Sequence, residues 1–231
     1  MTEILPGIHQ VDGVDPSPDF STHVYLVKDK GHSWTLIDTG LPGTAPKIEA
    51  YLRKHSISPG DIRSIFITHL HRDHTGSLRE MIAKTHARTY SHWIEAAYIN
   101  NDPPYDGPGS PPAEAVDVDE KFKDGDRFEV AGGMVAFHTP GHTPGHTAFY
   151  LPDRKILFAG DLFFGGAPNE ISLTPPEYTL HTPTARVSAQ RIAGLSITSL
   201  LPYHAGPYLT EGSAKVRALV KKLRELAQNR D

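Results

Sequence analysis

From Ser64 to Gly76 the chain reads SIFITHLHRDHTG, a short, largely apolar run that leads straight into His69, His71, Asp73 and His74. An apolar run of this length reads as a buried strand, and side chains along a strand repeat every two positions. His69 and His71 therefore face one point as the chain leaves the strand. Asp73 and His74 follow as the backbone bends into a helix, and reach a second point. By accident the pattern H-x-H-x-D-H arises roughly 0.004 times in a chain of this composition, so it is informative. A zinc ion takes about four ligands, so this segment alone cannot complete two sites. The fold must bring further donors here.

Donors of the right type stand elsewhere. HTPGHTPGHT (His138 to Thr147) is a Pro/Gly turn between two strands and carries His138, His142 and His146. FAGDLFF ends an apolar strand at Asp161, and LPYHAGP does the same at His204. Strand ends of layered folds are where sites are built on rigid support. Fourteen of the 231 residues are histidine, the commonest metal ligand. Cysteine is absent, which excludes disulfides and thiolate metal sites.

The remaining pattern alternates strands and helices. THVYLVKD (Thr22 to Asp29) and SWTLIDTG (Ser33 to Gly40) read as strands joined by a KGH turn. Thr44 to His55 carries Ile48, Tyr51 and Leu52 at helical spacing, with Thr44 at the N-cap. TGSLREMIAKT is helical, and ARTYSH then WIEAAYI give a strand and a helix. RFEVAG, MVAFHT, HTAFYL and KILFAGD are strands; a helix follows near Ala185 to Ala193, then the strand ITSLLPYH and an amphipathic helix from about Glu211 to Gln228. Two long loops interrupt this order, at about 100–118 and about 163–183. The first holds five prolines and two glycines, and loops of that length in compact domains tend to be functional, which makes it a lid over a site or a linker. The strand and helix order gives an α+β fold of two packed sheets with helices outside.

Bulk properties narrow the partners. A net charge of −4 offers no basic face for nucleic acid, and no stretch approaches 18 consecutive apolar residues. The start, MTEILPGIHQVDG, lacks a basic stretch followed by an apolar run, so the expectation is a cytoplasmic protein with no signal peptide.

Taken together, THLHRDHTG, TPGHTPGH, AGD, PYHAG and the DTG at Asp38 resemble the metallo-β-lactamase superfamily. The resemblance covers Thr22 to His204 and implies a four-layer αββα sandwich, one domain over residues 1–231, with a two-metal site between the sheet edges. It implies that His69, His71 and His142 hold the first metal, that Asp73, His74 and His204 hold the second, and that Asp161 bridges them. Two zinc ions are expected, with iron or manganese as alternatives because N/O ligation selects weakly. Asp38 is expected to support the ligand loop by hydrogen bonding without touching metal, and His138 and His146 to pack behind the ligands.

Two metals sharing a hydroxide would attack a small ester, lactone or thioester carbonyl, with Asp73 both ligating and directing the nucleophile. Tyr178 and His181, on the second loop, are the candidate substrate contacts. Glyoxalase II resembles the chain in its motifs but adds a glutathione-binding helical region, whereas about 27 residues follow His204 here. Lactonases of the family keep the same ligands. The competing expectations are a mononuclear iron enzyme of the persulfide dioxygenase type and a metal-binding module without turnover. Oligomeric state is open.

Overall fold

In the computed structural model, which describes residues 2–13, 21–165, 169–204 and 206–228, the first half of the chain builds a seven-stranded sheet in sequence order. Its strands β1 (Thr2–Leu5), β2 (Ile8–Asp12), β3 (His23–Lys28) and β4 (Trp34–Ile37) pair antiparallel. The sheet then turns parallel through β5 (Ile62–Ile67), β6 (Arg88–His92) and β7 (Glu120–Phe122). Parallel neighbours require crossovers. They are α1 (Ala45–Lys54), the short α2 (Arg72–Thr75) with α3 (Leu78–Thr85), and α4 (Trp93–Ile99).

The second half repeats the plan on a smaller scale. Strands β8 (Arg127–Phe128), β9 (Met134–His138), β10 (Thr147–Leu151) and β11 (Ile156–Gly160) pair antiparallel in turn. A separate hairpin of β12 (Phe163–Gly165) and β13 (Ile171–Leu173) follows, then α5 (Thr182–Ile192). β14 (Ser199–Pro202) runs parallel to β11 and completes a five-stranded sheet, and α6 (Gly212–Gln228) closes the described chain.

Strand periodicity sets the layers. Tyr25, Val27, Ile37 and Phe66 of the first sheet pack on Met134, Phe149, Leu151, Phe158 and Leu201 of the second. Their strand neighbours point the other way: Val24, Leu26, Leu36 and Ile65 meet α1, α3 and α4 through Ile48, Leu52, Leu78 and Ile99. Ala148, Tyr150, Leu157 and Leu200 meet α5 and α6 through Ala189, Ile192, Val216 and Val220. The result is an αββα sandwich of the α+β class, and its central strands read as continuous apolar runs because both faces are covered.

Local readings depart from this structure at several places. The hairpin β1–β2 was not anticipated; it turns at Pro6–Gly7, with Gly7 at φ 71°. RFEVAG yields only the two residues of β8, because Ala131, Gly132 and Gly133 all take positive φ and turn the chain before β9. The stretch 163–183 is not wholly loop: it contains β12, β13 and a single 3₁₀ turn at Pro176–Tyr178, with Gly166–Pro168 outside the described residues. Helix α5 starts at Thr182, since Pro183 sits in its first turn where a missing N–H goes unused. Thr44 does occupy the α1 N-cap, but without a side-chain capping bond. The Oγ of Ser77 caps the helix instead, accepting from the N–H of Thr44 (3.1 Å) and of Ala45 (3.2 Å).

Among the described residues no helix is long and apolar enough to cross a membrane.

Phe149 is fully buried between the sheets, edge-to-face with Phe66 at 5.4 Å and Phe122 at 5.7 Å. Replacing it with Ala should cost about 3–5 kcal/mol, seen as a lower urea midpoint at unchanged slope. A second test concerns acid. Burial pushes the His92 imidazole down to about 4, assisted by His138, which stacks on it at 4.2 Å, and opposed by Asp124 and Asp126. The unfolded chain takes up this proton near 6.5 and the folded chain only near 4. The stability tied to neutral His92 is therefore complete above about pH 6.5 and lost as pH falls to about 4. Unfolding free energies across that window should fall less steeply in His92→Asn, which keeps an N-cap acceptor for α4.

Candidate metal centre

The C-terminal ends of β4, β5, β11 and β14 lie along one edge of the sandwich, and the site is built there. Backbone leaving β4 places Asp38 at φ 61° beside the loop that leaves β5. Its Oδ1 accepts from the Thr68 amide at 2.8 Å, and its Oδ2 accepts the Thr68 hydroxyl at 2.8 Å and His74 Nδ1–H at 2.9 Å. The hydroxyl in turn accepts from His69 Nδ1–H at 3.1 Å. Both rings thereby turn Nε2 toward the interior. Tyr203 adds a third restraint: its hydroxyl donates to the Asp73 carbonyl and its ring lies 3.7 Å from the His74 ring.

Two further ligand-type histidines are oriented from outside the cluster. His71 Nε2–H donates to the Pro108 carbonyl at 3.0 Å, leaving Nδ1 for the centre. The loop passes so close here that a Cβ on Gly109 would stand 2.4 Å from His71 Nε2. The adjacent Arg72 amide donates to the Ser110 carbonyl at 3.1 Å. His204 Nδ1–H donates to the Ser21 carbonyl at 2.9 Å, which turns its Nε2 inward.

These restraints gather the expected residues into two groups, His69, His71 and His142, and Asp73, His74, Asp161 and His204, with donor atoms in each group within 4.8 Å of one another. In the first, His69 Nε2 stands 3.1 Å from His71 Nδ1 and 3.0 Å from His142 Nε2. In the second, Asp73 Oδ2 lies 3.0 Å from His204 Nε2 and 3.6 Å from His74 Nε2. Asp161 spans the two groups, with Oδ2 3.5 Å from His142 Nε2 and 3.3 Å from His204 Nε2.

Electrostatics divide the groups. Burial pushes His69, His71 and His142 down, so all three are neutral at pH 7 and present lone pairs. Burial opposes charge on His74 and His204 as well, but the Asp161 and Asp73 carboxylates outweigh it and hold both rings up, His204 at about 10. Those imidazoliums hold the Asp161 and Asp73 carboxyls below the usual range despite their burial. His74 Nε2 and Asp161 Oδ1 stand 3.2 Å apart, an ion-pair distance, yet neither has a hydrogen-bond partner among the described residues. Buried polar atoms are seldom left so. Three neutral imidazoles on one side and two imidazoles with two carboxylates on the other form donor sets that fit divalent cations.

A cavity of about 320 Å³ opens over the groups and is lined by His71, Asp73, His142, Asp161 and His204 together with Thr22, Arg72, Gly109, Ser110, Phe164, Thr174 and Tyr178. Tyr178 is thus in the wall. His181 is not among the lining residues; its Nδ1 pairs with the Thr184 hydroxyl at 2.7 Å, at the start of α5. His146 packs behind the ligands: its Nε2 accepts from the Asp161 amide at 3.0 Å while Nδ1–H donates to Thr139 Oγ1 at 2.8 Å, and burial pushes the ring down to about 3. His138 Nε2–H donates to the Pro144 carbonyl at 3.0 Å.

Sequence reasoning passed over Thr68, Tyr203 and Glu95. Glu95 sits in the first turn of α4, where an acid is ordinary, and only its full burial marks it out. Burial pushes its carboxyl up to about 7, against the pull of amide donors from Gly145 and Leu70.

Residues 17–216 match the family model of the metallo-beta-lactamase superfamily. A hydroxyacylglutathione hydrolase of Pseudomonas aeruginosa is 32% identical over 181 residues, which cover 76% of this chain and 60% of that relative. The chain thus spans less than two thirds of that relative's length. Among solved structures, a metallo-beta-lactamase family protein from Thermus thermophilus superposes with a TM-score of 0.70 at 26% identity, covering 99% of this chain and 81% of that one. A Cronobacter sakazakii metallo-beta-lactamase, a mutant of its HARLDQ motif, gives 0.76 at 24%, covering 99% and 95%, and speaks for the fold alone. The match runs through both sheets and every ligand-bearing loop: the chain belongs to the metallo-beta-lactamase superfamily.

Proposed function

We propose that the chain is a metal-dependent hydrolase that opens a small ester, lactone or thioester carbonyl. The observation that carries this reading is the shared carboxylate, Asp161, which lies within 3.5 Å of a nitrogen from each donor group beneath the cavity. Two cations held by these groups, zinc or alternatively iron or manganese, would lower the pKa of water toward 7 and polarise a carbonyl oxygen.

The chain's own residues prepare that chemistry. His69, His71 and His142 are kept neutral by burial and aimed by Thr68 and Pro108, so their lone pairs need no reorganisation. Asp73 is a quarter exposed toward the cavity, and its carboxylate accepts a proton-bearing edge of the attacking water and directs it. Tyr203 fixes the Asp73 main chain so that this direction holds. Thr22, Ser110, Thr174 and Tyr178 supply hydroxyls around the substrate, while Phe164 and Leu41 give it an apolar surface. We read the two proline-rich loops as substrate walls, since Gly109 and Ser110 come from one and Thr174 and Tyr178 from the other. A cavity of about 320 Å³ suits a small molecule, and a net charge of −4 argues against nucleic acid. Likeness to a hydroxyacylglutathione hydrolase supports the acyl-carbonyl class.

Proton release in weak buffer, measured on a panel of lactones, thioesters, simple esters, a β-lactam and a phosphodiester, tests the reading. Turnover is expected for one acyl class. His71→Ala should lower it by more than the roughly 100-fold typical of losing an outer hydrogen-bond partner of a metal ligand. Silence across the panel from the metal-loaded protein would sink the hydrolase. Removing metal with a chelator should abolish turnover and lower Tm, and zinc should restore both. A Tm indifferent to chelation and zinc would contradict two bound ions, because a ligand held only by the folded state adds stability.

A further inference from the structure

We propose that Glu95 is the positioning residue of the first metal group, a strut that fixes the separation of the two loops carrying its ligands. The proposal rests on reading His69, His71 and His142 as donors to one ion. Those donors come from different sheets. His69 and His71 follow β5 of the first sheet, whereas His142 lies between β9 and β10 of the second. Among the described residues one backbone bond ties the bases of these loops, from the Thr147 amide to the Thr68 carbonyl at 3.0 Å, and the loops beyond it need a further link to hold their ligands at the distance one ion spans.

Glu95 reaches both loops with one side chain. Its Oε2 accepts the Leu70 amide at 2.7 Å, the residue between His69 and His71. Its Oε1 accepts the Gly145 amide at 2.6 Å, three residues past His142. The carboxylate is fully buried. Both bonds are short, and the planar carboxyl group holds its two oxygens at a fixed spacing. The second loop is shaped to receive it: a Cβ on Gly145 would stand 2.9 Å from both Cγ and the amide nitrogen of Glu95. Leu70 is buried in the outer core and Gly145 is buried too, so both ends rest on packed structure. Glu95 itself stays behind the ligands, absent from the cavity lining.

Glu95→Gln tests this, because the amide keeps one acceptor and turns its NH₂ group toward the other N–H. Metal-free wild type and variant are titrated with Co(II), followed by calorimetry and visible absorption, with the first-group step assigned by His142→Ala. The expected result is a first-group affinity weakened about 10–100-fold in Glu95→Gln, with the other step unchanged. Wild-type affinity and spectrum at both steps would overturn the strut even if Tm falls, since a purely structural role lowers Tm alone. Should wild type take up no cobalt, the metal reading falls and the strut with it, an outcome distinct from the previous one. If Glu95→Gln does not fold, amide exchange in the unaltered metal-free chain decides. Slow exchange at both Leu70 and Gly145 is expected, and fast exchange at either overturns the proposal.

Discussion

A buried carboxylate, Asp38, sets the conditions for everything built at the sheet edge. It collects a backbone amide, a hydroxyl and a ring N–H, all within 2.9 Å, and so uses its charge on orientation. By accepting a hydrogen bond from His74 Nδ1–H and orienting the Thr68 hydroxyl that accepts one from His69 Nδ1–H, it decides which nitrogen of each ring faces inward. The positive φ of Asp38 places this group where the chain leaves a parallel strand, and the parallel pairing of β4 with β5 brings Thr68 to it.

The sandwich turns two unrelated chain segments into one site. Each sheet contributes loops at the same edge, and neither sheet holds a full set of donors. Desolvation then sorts the residues. Burial outweighs the pull of Asp161 at His69 and His142 and strips their charge, whereas at His74 and His204 the combined pull of Asp161 and Asp73 outweighs burial and restores it. Neighbouring groups of like residues thus carry different charge, with Asp161 the boundary they share.

The residues of the two donor groups were legible in the sequence because most of them stand where an apolar run gives way to a polar, metal-binding type, and such interruptions are rare by chance. The layer order was legible for a related reason: strands covered on both faces lack alternation and stand out as short apolar runs. What escaped had no local signal. Ser77 caps α1 from more than thirty residues away, so Thr44 gave the correct position with the wrong donor. Glu95 looks like any acid in a first helical turn until tertiary structure closes over it. β8 lost most of its expected length to consecutive positive φ at Ala131–Gly133, where backbone conformation overrode an apolar pattern. His181 matched a loop position but not the cavity, since α5 begins early enough to engage its ring with Thr184.

The Pro108 carbonyl that receives His71 Nε2–H belongs to the same loop that forms one wall of the cavity. That wall therefore has two duties that cannot be separated by substitution. Widening or narrowing it to admit another substrate would move the carbonyl, and with it the angle at which His71 offers Nδ1. If the two donor groups hold cations as proposed, substitutions in this wall would shift metal affinity together with the shape of the cavity.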